Sequence, residues 1–246
     1  MTQTIFSQII EDLKIHSNKQ DAIFLQRFFK TGKGEYGEGD KFLGIRNPAT
    51  RKVAKKYYKQ ITNKELQDLL SSQWHEIRLC ALVMMNYLME SKIISQNRKD
   101  QLYELYLSNI DTSINNWDLV DISAPHVVGE YLINNSDKSI LQKLAQGSLW
   151  QKRVAIISTF AFIRENDLGD ATLLCQKLMY EEHDLLHKAV GWTMREIGKK
   201  DKDILLKMLD ENAAYMPRTA LRYSLEKLTS EEKKYYMNMK NSAIKH

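Results

Sequence analysis

Apolar residues recur along this chain at the spacing of an α-helix. In segment 74–88 they form one stripe that consists of Ile77, Ala81, Met84, Met85 and Leu88. Residues at these intervals share one helix face, so the stripe predicts a helix with a buried side. No stretch sustains the strict alternation that is typical of a half-buried strand. The pattern therefore predicts an all-α protein.

Helix-start signals define several of the boundaries. Asn47 and Pro48 suit a helix start, Ser148 is a predicted N-cap, and Thr229 precedes acidic residues that favour a helix N-terminus. The helix over 116–134 is expected to be interrupted near Pro125. Together with the periodicity, these signals predict helices at residues 4–17, 19–30, 48–60, 63–72, 74–90, 96–109, 116–134, 138–146, 149–164, 170–181, 184–198, 202–210, 217–227 and 230–240.

The predicted helices form pairs that resemble internal repeats. Five polar residues fall at corresponding positions of successive pairs: Arg78, Asp121, Arg153, Lys188 and Arg218. A repeat of about 40 residues is typical of HEAT and armadillo proteins. We therefore expect residues 1–246 to form a single HEAT-like solenoid, curved so that the second helices line a concave face. Ion pairs between repeats are an alternative explanation for the same polar positions.

Composition excludes several classes of protein. Hydrophobic residues make up 43% of the 246 residues and charged residues 27%, which is ordinary for a globular protein and excludes a disordered chain. No apolar run reaches about 18 residues, so we expect no membrane span. Cys80 and Cys175 lack the spacing of metal ligands, so we expect a reducing cytoplasm and neither a metal nor a cofactor.

Residues 31–47 form a predicted glycine-rich loop. Its Gly32-x-Gly34-x-x-Gly37 pattern matches a dinucleotide fingerprint by letter, but a helical segment precedes it where that fingerprint needs a strand. A long irregular loop in a helical protein is usually functional. Its side chains suit contacts with a nucleic-acid backbone, and those that we select are Lys30, Lys33, Tyr36, Lys41 and Arg46.

Two helical segments combine an indole with a charged group. Trp117 and Asp121 are at i and i+4 and share one helix face, where the carboxylate and the ring can stabilise a developing cation. Trp192 and Arg195 are at i and i+3 in a later segment, and a buried indole covered by the arginine is the alternative there. Gly191 beside Trp192 is unfavourable within a helix, so we expect a close contact at that position.

Several separated blocks resemble one known family. In chain order they are FFKTGKGEYGEGD at 28–40, FLGIRNP at 42–48, NWDLVD at 116–121, WQKR at 150–153, AVGWTMRE at 189–196 and MPRTALRY at 216–223. With these blocks the chain resembles the AlkD family of bacterial DNA-7-alkylpurine glycosylases, which has a HEAT-like repeat fold. The resemblance covers about residues 24–226.

The resemblance implies hydrolysis of the N-glycosidic bond of N3- and N7-alkylated purines in duplex DNA, held in the concave cleft without a tight base pocket. It places the catalytic carboxylate at Asp121, two aromatic cleft residues at Trp117 and Trp192, and a DNA-contacting arginine at Arg153. The DNA contacts that we predict are Lys30, Lys33, Tyr36, Arg46, Arg78, Lys188, Arg195, Arg218 and Arg222. No lysine nucleophile is identifiable, so a monofunctional glycosylase is expected.

The charge distribution agrees with a DNA partner. The net charge is +5, made up of +6 over residues 1–100, −4 over 101–144 and +3 over 145–246. Two basic segments thus flank an acidic one that contains Asp121. We expect a monomeric cytoplasmic bacterial protein that acts at the nucleoid. A non-catalytic repeat module that binds damaged or branched DNA is the main alternative, and a protein-binding scaffold is another.

Overall fold

The fold is all-α in this computed structural model, which describes residues 4–133 and 135–239. No β-strand occurs in those two ranges, which confirms the predicted fold class. The helices are α1 Ile5–Lys14, α2 Lys19–Phe28, α3 Asn47–Tyr57, α4 Asn63–Leu70, α5 His75–Met89, α6 Gln96–Ser108, α7 Trp117–Ala124, α8 Glu130–Ile133, α9 Ser139–Leu144, α10 Leu149–Ser158, α11 Phe160–Arg164, α12 Gly169–Leu178, α13 Asp184–Lys200, α14 Lys202–Asn212, α15 Arg218–Ser224 and α16 Ser230–Asn238.

The predicted helix starts agree closely with the structure. Ser148 and Thr229 each form a capping box, in which the hydroxyl accepts from the backbone N–H three residues on. Asn47 is already helical, and Arg46 is the N-cap, so this start was predicted one position late. Side-chain oxygens placed before an apolar run are therefore a reliable signal in this chain, because they satisfy N–H groups that the helix leaves unpaired.

Two long predicted helices are broken. The helix over 116–134 is interrupted by a π-helical turn, Pro125–Gly129, because proline supplies no N–H for the regular ladder. The helix over 149–164 divides at Thr159, whose hydroxyl donates to the carbonyl of Ile156 at 2.6 Å. The last positions of the predicted helices 116–134 and 230–240 lie outside the described residues.

The chain separates into two compact units, Met1–Asn134 and Asn135–His246. In the first unit α5 is the central helix, and α3, α4 and α7 pack against it. The predicted stripe from Ile77 to Leu88 is buried there, which confirms it, and the rest of α5 is buried on almost every side as well. The single domain over 1–246 and its curvature stay predictions.

In the second unit α13 is the central helix, and α10, α12, α14 and α15 pack against it. The close contact expected at Gly191 is present. A Cβ atom there would lie 2.4 Å from the carbonyl oxygen of Ala220 and 2.6 Å from Cβ of Tyr223. Glycine is therefore needed at this position because the backbones of α13 and α15 meet closely.

Neither a membrane-spanning helix nor a group of metal ligands is found in the described residues. No helix within residues 4–133 and 135–239 is long and apolar enough to cross a membrane. Across the same ranges, no three His, Cys, Asp or Glu side chains are grouped so that they could hold a metal ion. Cys80 and Cys175 are both buried as free thiols.

Candidate functional site

The start of α7 carries the strongest candidate residues of the first unit. Asn116 caps the helix, with its side-chain oxygen accepting from the N–H of Trp117 at 2.8 Å. Trp117 and Asp121, both half-buried, are one turn apart on the same helix face. Burial raises the pKa of the nearby Tyr106 hydroxyl, and the negative charge of Asp121 raises it further. An indole and a carboxylate thus lie along one short, capped helix.

A buried carboxylate, Asp40, joins the glycine-rich loop to α5 and α7. Its Oδ1 accepts from Arg78 Nη2 at 2.8 Å, and its Oδ2 accepts from Asn116 Nδ2 at 3.2 Å. His75 Nδ1 lies 2.7 Å from the same Oδ2. Burial alone would raise the pKa of Asp40, but His75 and Arg78 outweigh burial and hold it below its ordinary value. The loop is therefore tied to two helices through one side chain.

His75 is enclosed between two carboxylates. Its Nε2 lies 2.8 Å from Asp118 Oδ2, opposite the contact of Nδ1 with Asp40. Burial would lower the pKa of the imidazole, but the charges of Asp118 and Asp40 raise it to about 9. His75 is therefore an imidazolium at neutral pH, and it donates to both carboxylates.

A stack of aromatic rings accompanies these ion pairs. Phe42 stacks on His75 with a centroid distance of 4.5 Å, and Phe29 stacks on Phe42 at 5.0 Å. Phe29 also stacks on Trp117 at 5.2 Å. The indole Nε1 of Trp117 donates to the hydroxyl of Tyr36 at 3.2 Å. One face of Trp117 is thus covered by Phe29, directly after α2, and its N–H is bound by Tyr36 of the loop.

Glu76, next to His75, holds the second half of the loop. Its buried carboxylate accepts from the backbone N–H groups of Leu43, Gly44 and Ile45 at 2.9, 2.7 and 3.1 Å. Gly44 has a φ of +77°, and a Cβ atom there would lie 2.0 Å from the carbonyl oxygen of Asn18. Only glycine combines that φ with that close approach.

A cavity of about 450 Å³ opens beside this network within the first unit. The carboxylates of Asp118 and Asp21 lie at its wall, and Asp21 is paired with Arg46 at 3.0 Å. Such a wall suits planar or cationic groups, because aromatic faces attract cations. The aromatic residues that line it are Phe24, Phe28, Phe29, Phe42 and Trp117.

The predicted DNA contacts of the first unit differ in their exposure. Lys30, Lys33 and Arg46 are exposed, although Arg46 is paired with Asp21. Tyr36 is half-buried against Trp117. Arg78 is buried instead: its side chain is only 7% exposed and pairs with Asp40, which disfavours the predicted contact with DNA. The repeat pattern placed it correctly on a helix face, but that face is covered by the loop.

In the second unit Trp192 is half-buried on α13. Its Nε1 donates to Glu196 Oε1 at 3.1 Å, and its ring packs edge-on against Phe160 at 4.6 Å. Arg195 pairs with Glu226 and lies 3.5 Å from Glu196. The guanidinium of Arg195 is thus held by two carboxylates, one of which also binds the indole N–H, and an indole covered by the stem of this arginine stays an alternative.

The other predicted contacts of the second unit are also engaged within it. Arg153 is buried on α10 and donates to the carbonyl of Leu185 on α13. Lys188 pairs with Asp184 at 2.7 Å. The two remaining residues are exposed: Arg218, which donates to the carbonyl of Met237 at 2.7 Å, and Arg222. A guanidinium as buried as that of Arg153 does not present itself to a phosphate in this conformation.

The chain is similar to known proteins in both sequence and fold. The sequence model of the family described as DNA alkylation repair enzyme matches residues 9–228. The chain belongs to the DNA alkylation repair enzyme family.

Solved structures with a similar fold include one that covers most of this chain. It is a predicted DNA alkylation repair enzyme from Enterococcus faecalis, which matches with a TM-score of 0.66 at 15% identity, over 87% of this chain and 98% of that chain. At that identity the similarity shows the fold alone. No curated protein sequence matches this chain.

In this family member, sequence patterns contained no signal for the pairing of the residues around His75 and Glu76. Asp40 and Asp118 are separated from His75 by 35 and 43 positions, and Glu76 by about 32 from the amides that it binds. The conspicuous run of glycines in 32–44 and the i to i+1 position of Asp118 beside Trp117 were visible, but their partners were not. Asp118 is half-buried and pairs with His75.

Proposed function

We propose that this protein is a monofunctional DNA glycosylase, which hydrolyses the N-glycosidic bond of N3- and N7-alkylated purines in duplex DNA. The observation that carries the proposal is the placement of Asp121 one turn after Trp117 on α7, in a chain of the DNA alkylation repair enzyme family. Base loss would start base excision repair of the damaged strand.

The chemistry needs few groups. Alkylation at N3 or N7 makes the purine cationic and a good leaving group, so no strong general acid is required. Departure of the base leaves an oxocarbenium-like sugar, which a carboxylate can stabilise while it orients water. Asp121 supplies that carboxylate in the proposal, and the face of Trp117 favours a cation beside it.

Other residues have supporting roles in the proposal. Lys30 and Lys33 of the loop are exposed and would contact the DNA backbone. Arg78 is not among the proposed DNA contacts, because it is buried against Asp40. The roles that the resemblance implies for Trp192 and Arg153 stay predictions, and the burial of Arg153 favours a role in joining α10 to α13 over a phosphate contact.

The test is base release by the variant Asp121→Asn. We expect its single-turnover release of 7-methylguanine and 3-methyladenine from methylated duplex DNA to fall about 10²- to 10³-fold, the usual loss when one electrostatic group is removed. DNA affinity should change little, because the variant keeps the shape of the side chain. Asp68→Asn, which alters an exposed carboxylate on α4, is the matched control and should leave the rate unchanged.

The outcomes separate the proposal from its main alternative. Full base release by Asp121→Asn would remove Asp121 from the catalytic role. A wild-type protein that binds methylated duplex but releases no base would instead identify a non-catalytic DNA-binding module.

A further inference from the structure

We infer that His75 is a positioning residue for the proposed active site: it joins Asp40 of the loop to Asp118 of α7 and thereby fixes the helix start that presents Trp117 and Asp121. His75 itself is buried and is one of the residues that line the cavity.

Both ring nitrogens of His75 face carboxylates. Nδ1 is 2.7 Å from Asp40 and Nε2 is 2.8 Å from Asp118. A neutral imidazole has one N–H and would direct a lone pair at one of the two carboxylates. Only the imidazolium bonds both, so the link between loop and helix depends on the proton of His75.

Hydrogen bonds of the same network fix the residues on both sides of Trp117. Asn116, which precedes it, donates to Asp40, and Asp118, which follows it, accepts from His75. The backbone of Trp117 thus lies between two anchored neighbours. Asp121 is one turn further along the same helix, so its place depends on the same anchors.

The ring of Trp117 is also connected to His75 through packed aromatic rings. Phe29 lies 5.1 Å from the His75 ring and stacks on Trp117 at 5.2 Å. Phe42 stacks on His75 from the loop. His75 is therefore connected to Trp117 both by hydrogen bonds to its neighbours on α7 and by packed rings. A change in the charge or shape of His75 should thus alter the position of the indole.

The charged groups around His75 are balanced. Asp40 faces it from the loop, Asp118 from α7, and Arg78 from its own helix α5 contributes the second positive charge through Asp40. Two cations against two anions can be buried, whereas removal of one member leaves an unpaired charge.

The experiment compares His75→Gln with His126→Gln in the full-length protein. His126, in the π-helical turn after α7, pairs with the carboxylate of Glu90 at 2.8 Å, so its variant also loses a histidine–carboxylate pair, but not one that joins the loop to the start of α7. The first measurement is the indole Nε1–H resonance of Trp117, assigned with Trp117→Phe. We expect His75→Gln to shift that resonance and His126→Gln to leave it in place.

The second measurement is single-turnover release of 7-methylguanine from methylated duplex. Misplacement of a reacting group by about 1 Å can cost 10²-fold, so we expect His75→Gln to lose about 10- to 100-fold in rate with little change in DNA affinity. A folded His75→Gln protein with an unmoved Trp117 resonance and a wild-type rate would overturn the inference.

The effect on base release rests on the proposed function, whereas the effect on Trp117 does not. A wild-type protein that releases no base would overturn the proposed function, and the indole resonance would still decide the role of His75. If His75→Gln does not fold, the wild-type protein is titrated instead. The Trp117 resonance should then follow the loss of the His75 proton, observed by NMR of the imidazole, and an indole that stays in place through that titration would overturn the inference.

Discussion

Gly44 shows how one backbone position can constrain the glycine-rich loop. Its φ of +77° is in the left-handed region, and a Cβ atom there would overlap the carbonyl oxygen of Asn18 and the amide of Ala22. Gly34 has a similar φ of +79°, but nothing lies within 4 Å of its Cβ position. The two glycines thus separate the cost of the backbone conformation from the cost of close contact.

Alanine should destabilise the protein more at position 44 than at position 34. Gly34→Ala should lower the free energy of unfolding by about 1–2 kcal/mol, the cost of the left-handed conformation for an ordinary residue. Gly44→Ala should lower it by roughly 1–3 kcal/mol more, because backbone atoms must also shift. Urea denaturation measures both. Equal losses in the two variants would contradict the contact at Gly44.

At the scale of secondary-structure elements, the loop and the start of α5 stabilise each other. Glu76 lies in the first turn of α5, where a negative charge is favourable. Its carboxylate also binds the N–H groups of residues 43–45 in the second half of the loop. Unpaired amides in this buried stretch would be costly, so Glu76 is what allows the loop to pass through the interior.

Glu76→Gln tests this role. The amide keeps the size of the side chain but loses the charge that strengthens three hydrogen bonds, so we expect a loss of about 2–3 kcal/mol in the free energy of unfolding. Hydrogen exchange at the amides of residues 43–45 should accelerate. Glu35→Gln is the control, since Glu35 is exposed and accepts from one loop amide, that of Gly32. Unchanged exchange at residues 43–45 would argue against the anchor.

At the scale of the whole molecule, the buried ion network links the stability of the first unit to pH. Folding raises the pKa of His75 from 6.5 to about 9, so the folded state favours the protonated ring. The resulting stabilisation is fully present below about pH 6.5 and is lost as the pH rises through about 9. Burial also raises the pKa of the Cys80 and Cys175 thiols, which adds a separate loss at alkaline pH.

The corresponding prediction compares wild type with His75→Gln between pH 6.5 and pH 9.5. The stability of the wild type, measured by urea denaturation, should fall more steeply over that range. Both proteins keep Asp40, Asp118, Arg78 and the two thiols, so the difference between the curves reports His75. Parallel curves for wild type and His75→Gln would contradict an imidazolium at this position.

The sequence by itself determined the helical class, most helix starts and the family. Periodicity and N-cap residues are local signals, and they act on hydrogen bonds within a few positions of the chain. Helix geometry also placed Trp117 and Asp121 on one face. The low helix propensity of glycine predicted the close contact at Gly191.

Only the tertiary structure decided which polar residues meet. Arg78 had the spacing of a surface cation in a repeat, but the loop covers it and Asp40 neutralises it. His75 had no motif around it, and its two carboxylates come from segments 35 and 43 positions away. Partners at that separation are chosen by packing, because the burial of a charge is tolerated only where the fold delivers its counter-charge, and local periodicity holds no record of that.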